Sequence, residues 1–514
     1  MKKPEIIRMA DKRLVAVVIV AIVIIAALGA FTYRPGPSGK KGSAKPERPK
    51  WPYVDNVTND YNFPMSTGGR PSAETHVAVN PLDPNNMVAS SNDMNNPSQD
   101  TWLHFYTTKD GGKTWSDGIV PGYRGGPPSV LTGFGTSCDP ALGFDMNNNV
   151  YLAGVGYNRH TYAHSGRANC IFVARSSNGG DSFDQVSIVH QALFNQIQFN
   201  DKEWLAVDLN NGNVYVVWTV FAGAMMTGSI VFSRSTDQGR TWTLPDKIAD
   251  ITSDINAQGS YIAVDKNSTL HLVWRDFGDD EVHYTRSKDS GNSWEPIRPI
   301  VNMVPQPYTL TNGTYRTPTM PVMAIDNTDG PFGGSIYVTW NDASTGDSDI
   351  LLAYSRDWGE TWNDTYVRVN NDTVGNGADQ FFPAMVVSDQ GWVHLMFFDR
   401  KYDPDHTLIG VTYAVSVDGG QNFSINLNVS DTLFDGNLGG RAYWTEATPG
   451  GDVGFVGDYL GIGVNNNTAL LTWCDCRNAG PDDGNSDIYA CLVKFSDEKG
   501  SVNDTYNFIK KYGP

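Results

Sequence analysis

From about residue 60 onward, short apolar runs recur in sets along the chain. The first runs of each set are Thr75–Asn80, Ala141–Asp145, Trp204–Asp208, Tyr261–Asp265, Val322–Asp326, Ala384–Ser388 and Tyr459–Val464. After a polar turn each is followed by a second run: Met87–Ser91, Val150–Val155, Val214–Thr219, Leu270–Trp274, Ile336–Trp340, Val393–Phe398 and Ala469–Trp473. Third runs such as Ile350–Tyr354 and Thr412–Val415 come next. Short runs rich in Val, Ile and aromatics, bounded by Gly, Asn and Asp, read as strands. Leu14–Tyr33 is different: it holds no charged residue and is dominated by Val, Ile and Ala. Such a run spans roughly 30 Å as a helix, the thickness of a bilayer core.

A polar turn of eight residues punctuates the strand pattern six times. It reads Thr108-Lys-Asp110-Gly-Gly112-Lys-Thr114-Trp115, then Ser176-Ser-Asn178-Gly-Gly180-Asp-Ser182-Phe183, then Ser235-Thr-Asp237-Gln-Gly239-Arg-Thr241-Trp242. Ser287-Lys-Asp289-Ser-Gly291-Asn-Ser293-Trp294, Ser355-Arg-Asp357-Trp-Gly359-Glu-Thr361-Trp362 and Ser416-Val-Asp418-Gly-Gly420-Gln-Asn422-Phe423 complete the set. The hydroxyl and carboxylate are suited to folding back on backbone N–H groups, Gly permits a left-handed conformation, and the aromatic is placed to fill space between sheets. Asp110, Asn178, Asp237, Asp289, Asp357 and Asp418 are therefore structural residues. A degenerate seventh turn is expected at Ser496-Asp497-Glu498-Lys499-Gly500.

This turn resembles the Asp box, or BNR repeat, of the sialidase superfamily, where it joins the third and fourth strands of a propeller blade, away from the ligand face. The resemblance implies an all-β, seven-bladed β-propeller of four-stranded antiparallel blades, with six blades as the alternative. The expected organisation is a short cytoplasmic tail (1–13), a transmembrane signal-anchor helix (14–33), a Pro/Gly/Lys-rich linker (34–59) and the propeller (60–514). A cleaved signal peptide ending near Ala27-Leu28-Gly29-Ala30 is the rival reading, disfavoured by the length of the apolar run. Basic residues flank both ends of that run, so charge alone does not orient it.

Composition changes the picture in two ways. Residues 1–50 carry eleven Lys/Arg against three Asp/Glu, a net of +8, while the remainder carries 27 against 53, a net of -26. A body that acidic repels phosphate backbones, which excludes nucleic acid as a partner class and favours cations or neutral ligands. Nine Asn-x-Ser/Thr sequons, at Asn56, Asn267, Asn312, Asn363, Asn371, Asn422, Asn428, Asn466 and Asn503, point to a glycoprotein whose propeller is extracellular on a single-pass cell-membrane anchor. The five cysteines sort by repeat, so Cys138 with Cys170, and Cys474 with Cys491, are candidate disulfides, leaving Cys476 over; five buried thiols is the alternative.

In a propeller the loops entering first strands and those joining second to third strands open on one face. That face is expected to gather Glu74, Asp139, Asp201-Lys202-Glu203-Trp204, Asp379 and Asp458-Tyr459 with Asp93, Arg275-Asp276, Asp342, Asp399-Arg400 and Asp475-Cys476-Arg477. Three readings compete for this rim. The Asp residues can simply cap strand ends with Arg paired to them. They can bind calcium, for which the Asp482–Asp487 loop is loosely suited, although no cofactor is required. Or the rim can process glycosides.

The superfamily resemblance implies an arginine clamp for a substrate carboxylate, a Tyr nucleophile with a Glu partner, and an Asp acid/base. Arg275, Arg400 and Arg477, with Asp399 and Asp475, are the substrate-binding candidates. Tyr459 (or Tyr443), Glu203 (or Glu446) and Asp139 are the catalytic candidates. The family's Phe/Tyr-Arg-Ile-Pro motif is missing near the first blade, and the closest string is Tyr315-Arg316-Thr317-Pro318. The expected function is a membrane-anchored extracellular propeller that binds glycans or cell-surface polymers; the alternative is an exo-α-sialidase-like glycoside hydrolase.

Overall fold

The computed structural model describes residues 62–66, 71–94, 101–158, 169–192, 198–222, 227–249, 256–440, 454–465, 467–480 and 484–494. The expected anchor, cytoplasmic tail and linker all lie outside these residues, as do Tyr443, Glu446 and the degenerate turn at Ser496–Gly500. No helix among the described residues is long and apolar enough to cross a membrane.

The strands form seven four-stranded antiparallel sheets, each the blade of a propeller, and the six-blade alternative falls. Blades 1 to 6 take their strands consecutively, from Ser72–Val79, Met87–Met94, Thr101–Thr108 and Ser116–Ile119 in blade 1 to Gln380–Val387, Val393–Asp399, Gly410–Ser416 and Ile425–Asn428 in blade 6. Blade 7 is composite. Gly461–Asn465, Thr468–Asp475 and Asp487–Lys494 come from the C-terminal side, and the outer strand Phe63–Pro64 comes from the N-terminal side, with Phe63 opposite Ala490. Joining the two ends of the repeat in one sheet closes the ring and removes an exposed edge.

Burial peaks in the second strand of each blade and falls toward the outer one. The second strand of blade 4, Leu270–Asp276, is buried throughout, whereas its outer strand, Arg298–Asn302, is mostly accessible. Separate apolar cores form between neighbouring blades. The core between blades 2 and 3 joins Tyr151, Val155 and Val173 to Leu205, Val216 and Trp218. Each turn aromatic adds to the core between its own blade and the one before: Phe183 between blades 1 and 2, Trp242 between 2 and 3, Trp294 between 3 and 4. Trp362 and Phe423 do so between blades 4 and 5 and between 5 and 6.

The six polar turns share one hydrogen-bond scheme between third and fourth strands. In the fourth, the Ser287 hydroxyl donates to Asp289 Oδ1 at 2.8 Å and accepts the Gly291 N–H at 2.8 Å. Ser293 then donates its N–H to Asp289 Oδ1 and its hydroxyl to Oδ2, at 2.8 and 2.6 Å. The glycine holds a positive φ in every copy, and at Gly359 (φ +84°) a Cβ would also run into Tyr284 of the preceding blade.

None of the five cysteines forms a disulfide, and all five are buried. This corrects the expected disulfides, and the register explains why. Cys474 pairs with Ile488 and Cys491 with Leu471, three rungs apart, or about 10 Å along the strands. Cys138 and Cys170 flank the central strand of their blade, opposite Val155 and Gly156, about two strand spacings or ~9.5 Å apart. Neither separation fits the Cα–Cα reach of a disulfide.

Candidate functional site at the mouth of the central channel

Five innermost strands carry a β-bulge at the same height. The register slips between Ala73 and Thr75, Cys138 and Ala141, Asp201 and Trp204, Gln258 and Tyr261, and Phe381 and Ala384. At the head of each bulge a residue takes left-handed backbone: Glu74 (φ 52°), Asp139 (62°), Lys202 (52°), Gly259 (68°) and Phe382 (53°). Only one of the five is Gly. Non-glycine residues in this region cost of order 1 kcal/mol each and gather where the chain must re-aim a side chain. Here the bulges turn Glu74, Asp139 and Lys202 toward the channel, and blade 7 adds Asp458 behind Gly457 (φ 86°).

Lys202 is the hub. Its Nζ lies 2.5 Å from Asp458 Oδ2, 3.2 Å from Glu74 Oε1 and 4.0 Å from Asp139 Oδ2, with its side chain 9% exposed. Arg316 meets Asp458 with a bidentate fork at 2.8 and 2.7 Å. Asn92 stitches blades 1 and 2 together: its carbonyl accepts the Asp139 N–H at 2.8 Å, and its amide donates to Glu74 Oε2 at 2.5 Å and Asp139 Oδ1 at 3.5 Å. Glu74 and Asp139 thus share two neighbours, Asn92 and Lys202, and face each other closely.

These groups shift one another's protonation. Burial pushes Glu74 well above the usual carboxylate range, with Asp139 and Asp458 adding to it and Lys202 opposing. Burial and the nearby Asp139 raise Asp201 to about 6. Burial, with Asp139 and Asp201 beside it, also pushes Glu203 well up, and neither of its carboxyl oxygens finds a hydrogen-bond partner among the described residues. Burial alone would favour the neutral amine of Lys202, but Asp458, Glu74 and Asp139 together hold its ammonium form well above the ordinary value. Asp458, although buried, is held below the ordinary range by Arg316 and Lys202.

Two cavities meet at this cluster. The outer one, about 300 Å³, opens at the channel mouth; Glu74, Asp139, Asp201, Lys202, Arg316 and Asp458 line it, with the rings of Tyr157, Phe199, Phe277, Tyr308 and Phe455. The inner one, about 70 Å³, lies along the channel and is mostly apolar, with Trp204, Tyr261, Phe382, Met385 and Tyr459 in its wall. Asp139, Lys202 and Asp458 belong to both walls.

The three catalytic candidates from the sequence, Asp139, Glu203 and Tyr459, all line the inner cavity. Among the described residues no Tyr–Glu hydrogen bond forms, however, and Glu203 has no partner; Tyr459 lies under the Lys202 ammonium, 5.0 Å from ring centre to Nζ, with its hydroxyl pushed well up by burial and then by Asp139 and Glu74.

The arginine clamp does not assemble. Arg275 binds Asp280 at 2.7 Å and the Thr319 carbonyl, and Arg400, 1% exposed, binds Asp379 at 3.3 Å and the Thr311 carbonyl. Arg477 is held between Asp475 and Asp431. Each guanidinium is consumed by a carboxylate of its own blade or the adjoining loop, and none lines either cavity. Asp399 and Asp475 cap their loops, accepting the N–H of Lys401 and Arg477 at 3.0 and 2.8 Å.

Among the described residues, no group of three or more His, Cys, Asp or Glu is arranged to hold a metal ion. Asp482 and Asp483 of the loop suited to calcium lie outside those residues.

The arginine that does reach the mouth, Arg316, sits in the Tyr315-Arg316-Thr317-Pro318 string. The excursion that carries it, 303–321, joins blades 4 and 5 and also brings Tyr308 and Met320 to the cavity. Sequence reasoning placed no ligand residue there, and it passed over Asn92. A recurring residue position just before each first apolar run was the available signal, since Glu74, Asp139, Lys202, Gly259 and Phe382 occupy it in turn.

The chain matches no protein-family model and no curated protein sequence. Among solved structures it is similar to a protein of unknown function from Dyadobacter fermentans, at 14% identity over 84% of this chain and 96% of that one, with a TM-score of 0.45. It is similar also to a sialidase from Streptococcus pneumoniae, at 11% identity over 85% and 70% of the two chains and a TM-score of 0.41. An α-L-arabinofuranosidase from Fusarium graminearum matches at 11% identity over 84% and 96%, with a TM-score of 0.41. The fold rests on this chain's own strand pairing, and no residue role is carried over from these structures.

Proposed function

We propose that the channel mouth binds a glycan or cell-surface polymer through an uncharged or donor-rich sugar, on a propeller carried outside the cell by the N-terminal anchor. The observation that carries this reading is the 300 Å³ cavity, walled by acceptor carboxylates and by five aromatic rings. Carboxylates accept hydrogen bonds from sugar hydroxyls, and aromatic faces stack on sugar C–H surfaces. The extracellular placement is supported by the apolar run at 14–33 and by exposed sequon residues Asn267, Asn312, Asn371 and Asn422.

A second reading, glycoside hydrolysis, has its own support. Burial pushes the Glu74 carboxyl well above the usual carboxylate range, against the pull of Lys202, and Asn92 and Lys202 link it to Asp139. In that chemistry Glu74 would protonate the glycosidic oxygen while Asp139 draws a proton from the attacking water.

Both readings are tested by isothermal titration with neutral oligosaccharides and by turnover of fluorogenic glycosides and sialosides, on the wild type and on Asp139→Ala and Arg400→Ala variants. Binding of neutral sugars should be lost in Asp139→Ala and kept in Arg400→Ala. Turnover of a neutral glycoside would establish the second reading. Sialoside turnover that disappears in Arg400→Ala would overturn the account of the arginines.

A further inference from the structure

Both cations in the mouth are already spent. Arg316 and Lys202 converge on Asp458, and Lys202 also serves Glu74. Two carboxylates in the same wall are left poorly served. Asp139 is 7% exposed; among the described residues its Oδ2 accepts no hydrogen bond, and its nearest cation, Lys202 Nζ, stands 4.0 Å away. Asp201, on the neighbouring blade, accepts among the described residues from the Gln258 amide alone, at 3.3 Å. Each thus accepts one long hydrogen bond and keeps acceptor capacity facing the cavity, which a cationic ligand would use.

We infer that the mouth recognises a ligand bearing a free primary ammonium, seated between Asp139 and Asp201. Resting on the carbohydrate reading above, this names the ligand class: a sugar with an unsubstituted amine, as distinct from an N-acetylated or carboxylated one. An ammonium offers three N–H donors to two carboxylates and is attracted to the faces of the aromatic rings lining the cavity. An N-acetyl group offers one donor and brings bulk and a carbonyl that the carboxylates repel. A ligand carboxylate would meet the carboxylates of Asp139 and Asp201 and no unpaired guanidinium among the described residues. Burial first, and then Asp139, raise Asp201 to about 6, with Lys202 and Arg316 opposing.

The full chain is titrated at pH 7 with four tetrasaccharides or close equivalents: β-1,4-linked glucosamine, N-acetylglucosamine and glucose oligomers, and a sialyllactose. Ethanolamine and spermidine serve as amines without a sugar. The glucosamine oligomer is expected to bind roughly tenfold or more tighter than the glucose oligomer, the range of a charge-assisted hydrogen bond. That ratio should collapse in Asp201→Asn and in Asp139→Asn, each checked for its fold by circular dichroism. Equal or tighter binding of the glucose, N-acetylglucosamine or sialyl ligands overturns the inference and leaves the carbohydrate reading standing. Binding of spermidine or ethanolamine that depends on Asp201, with no binding of any oligosaccharide, overturns the carbohydrate reading and keeps the amine subsite. No binding of any amine or amino sugar defeats the inference outright.

Discussion

The two faces of the propeller treat carboxylates in opposite ways. On the face with the polar turns, each Asp is answered within its own eight residues: Asp237 accepts from Ser235, Arg240 N and both donors of Thr241. At the channel mouth Glu74, Asp139, Asp201 and Asp458 come from blades 1, 2, 3 and 7, and their partners lie far along the chain: Lys202 is 128 residues from Glu74, and Arg316 is 142 from Asp458. Local satisfaction makes a repeatable module. Long-range, incomplete satisfaction makes a place with chemistry left over.

The sharpest way to break this contrast is to remove the mouth's central cation. Lys202→Met leaves Glu74, Asp139 and part of Asp458 without compensation inside the channel. Breaking a buried ion pair on one side costs about 3–5 kcal/mol, so a fall in unfolding stability of that order at pH 7 is expected, measured by chemical denaturation. The loss should shrink at pH 5, where more of the carboxylates are neutral. A change no larger than that of an exposed lysine would mean the cluster is solvated.

A smaller effect is expected on the turn side. Trp242 packs against the core between blades 2 and 3 while remaining partly accessible, and its Nε1–H donates to Ser187 Oγ at 2.9 Å. Trp242→Ala should cost roughly 2 kcal/mol, below the range for a fully buried aromatic. It should leave ligand binding at the mouth untouched, because the turn face acts through packing between blades alone.

The same contrast explains what was readable in the sequence. All seven first runs and all seven second runs are strands, because each alternates around its own turn and the turn residues announce themselves locally. First strands begin earlier than expected where a bulge adds length: Ser72–Val79 where Thr75–Asn80 was expected, and Thr136–Phe144 where Ala141–Asp145 was. The outer strand of blade 7 was illegible, since Phe63–Pro64 is two residues long and pairs across the entire chain. Glu74, Asp139, Lys202 and Asp458 could be assigned to one face from topology. Which arginine reached that face could not be, because Arg316 sits in an irregular excursion outside the repeat positions that carry Arg275, Arg400 and Arg477.

Acid and base should pull the two faces apart as well. A carboxyl whose folded pKa lies above its unfolded value holds an extra proton when folded, so stability falls as pH rises through that window; one held low does the reverse. Asp201, raised to about 6 by burial and Asp139, therefore erodes stability as pH rises from about 4 to 6. Asp201→Asn should flatten that slope and raise Tm at pH 7 by a few degrees, read by calorimetry across pH 4–8. Asp110 and Asp289 are held down to about 2, chiefly by the hydroxyls of Thr114 and Ser293 and then by the N–H groups of those residues. The stability they confer is present above about pH 4 and disappears as pH falls toward 2. Tm profiles that move together in the two windows would show that the faces are not distinct.

The smallest expected effect is the most discriminating for the turn. Asn178 already stands where the other five copies have Asp, and it performs the same work: its Oδ1 accepts from Ser176 at 2.7 Å and from the Ser182 N–H at 3.1 Å. Its Nδ2 then donates to Ser182 Oγ at 2.9 Å, the reverse of the Ser293-to-Asp289 bond. The serine hydroxyl can turn round, so charge is dispensable provided the geometry survives. Asp289→Asn should therefore be close to neutral in Tm at pH 7 while removing that turn's share of the acid transition between pH 4 and 2. Asp289→Ala, which removes both acceptors, should lower Tm at every pH. If Asn proved as damaging as Ala at neutral pH, the turn would depend on its charge, and the division between a self-satisfied face and an electrostatically incomplete one would no longer hold.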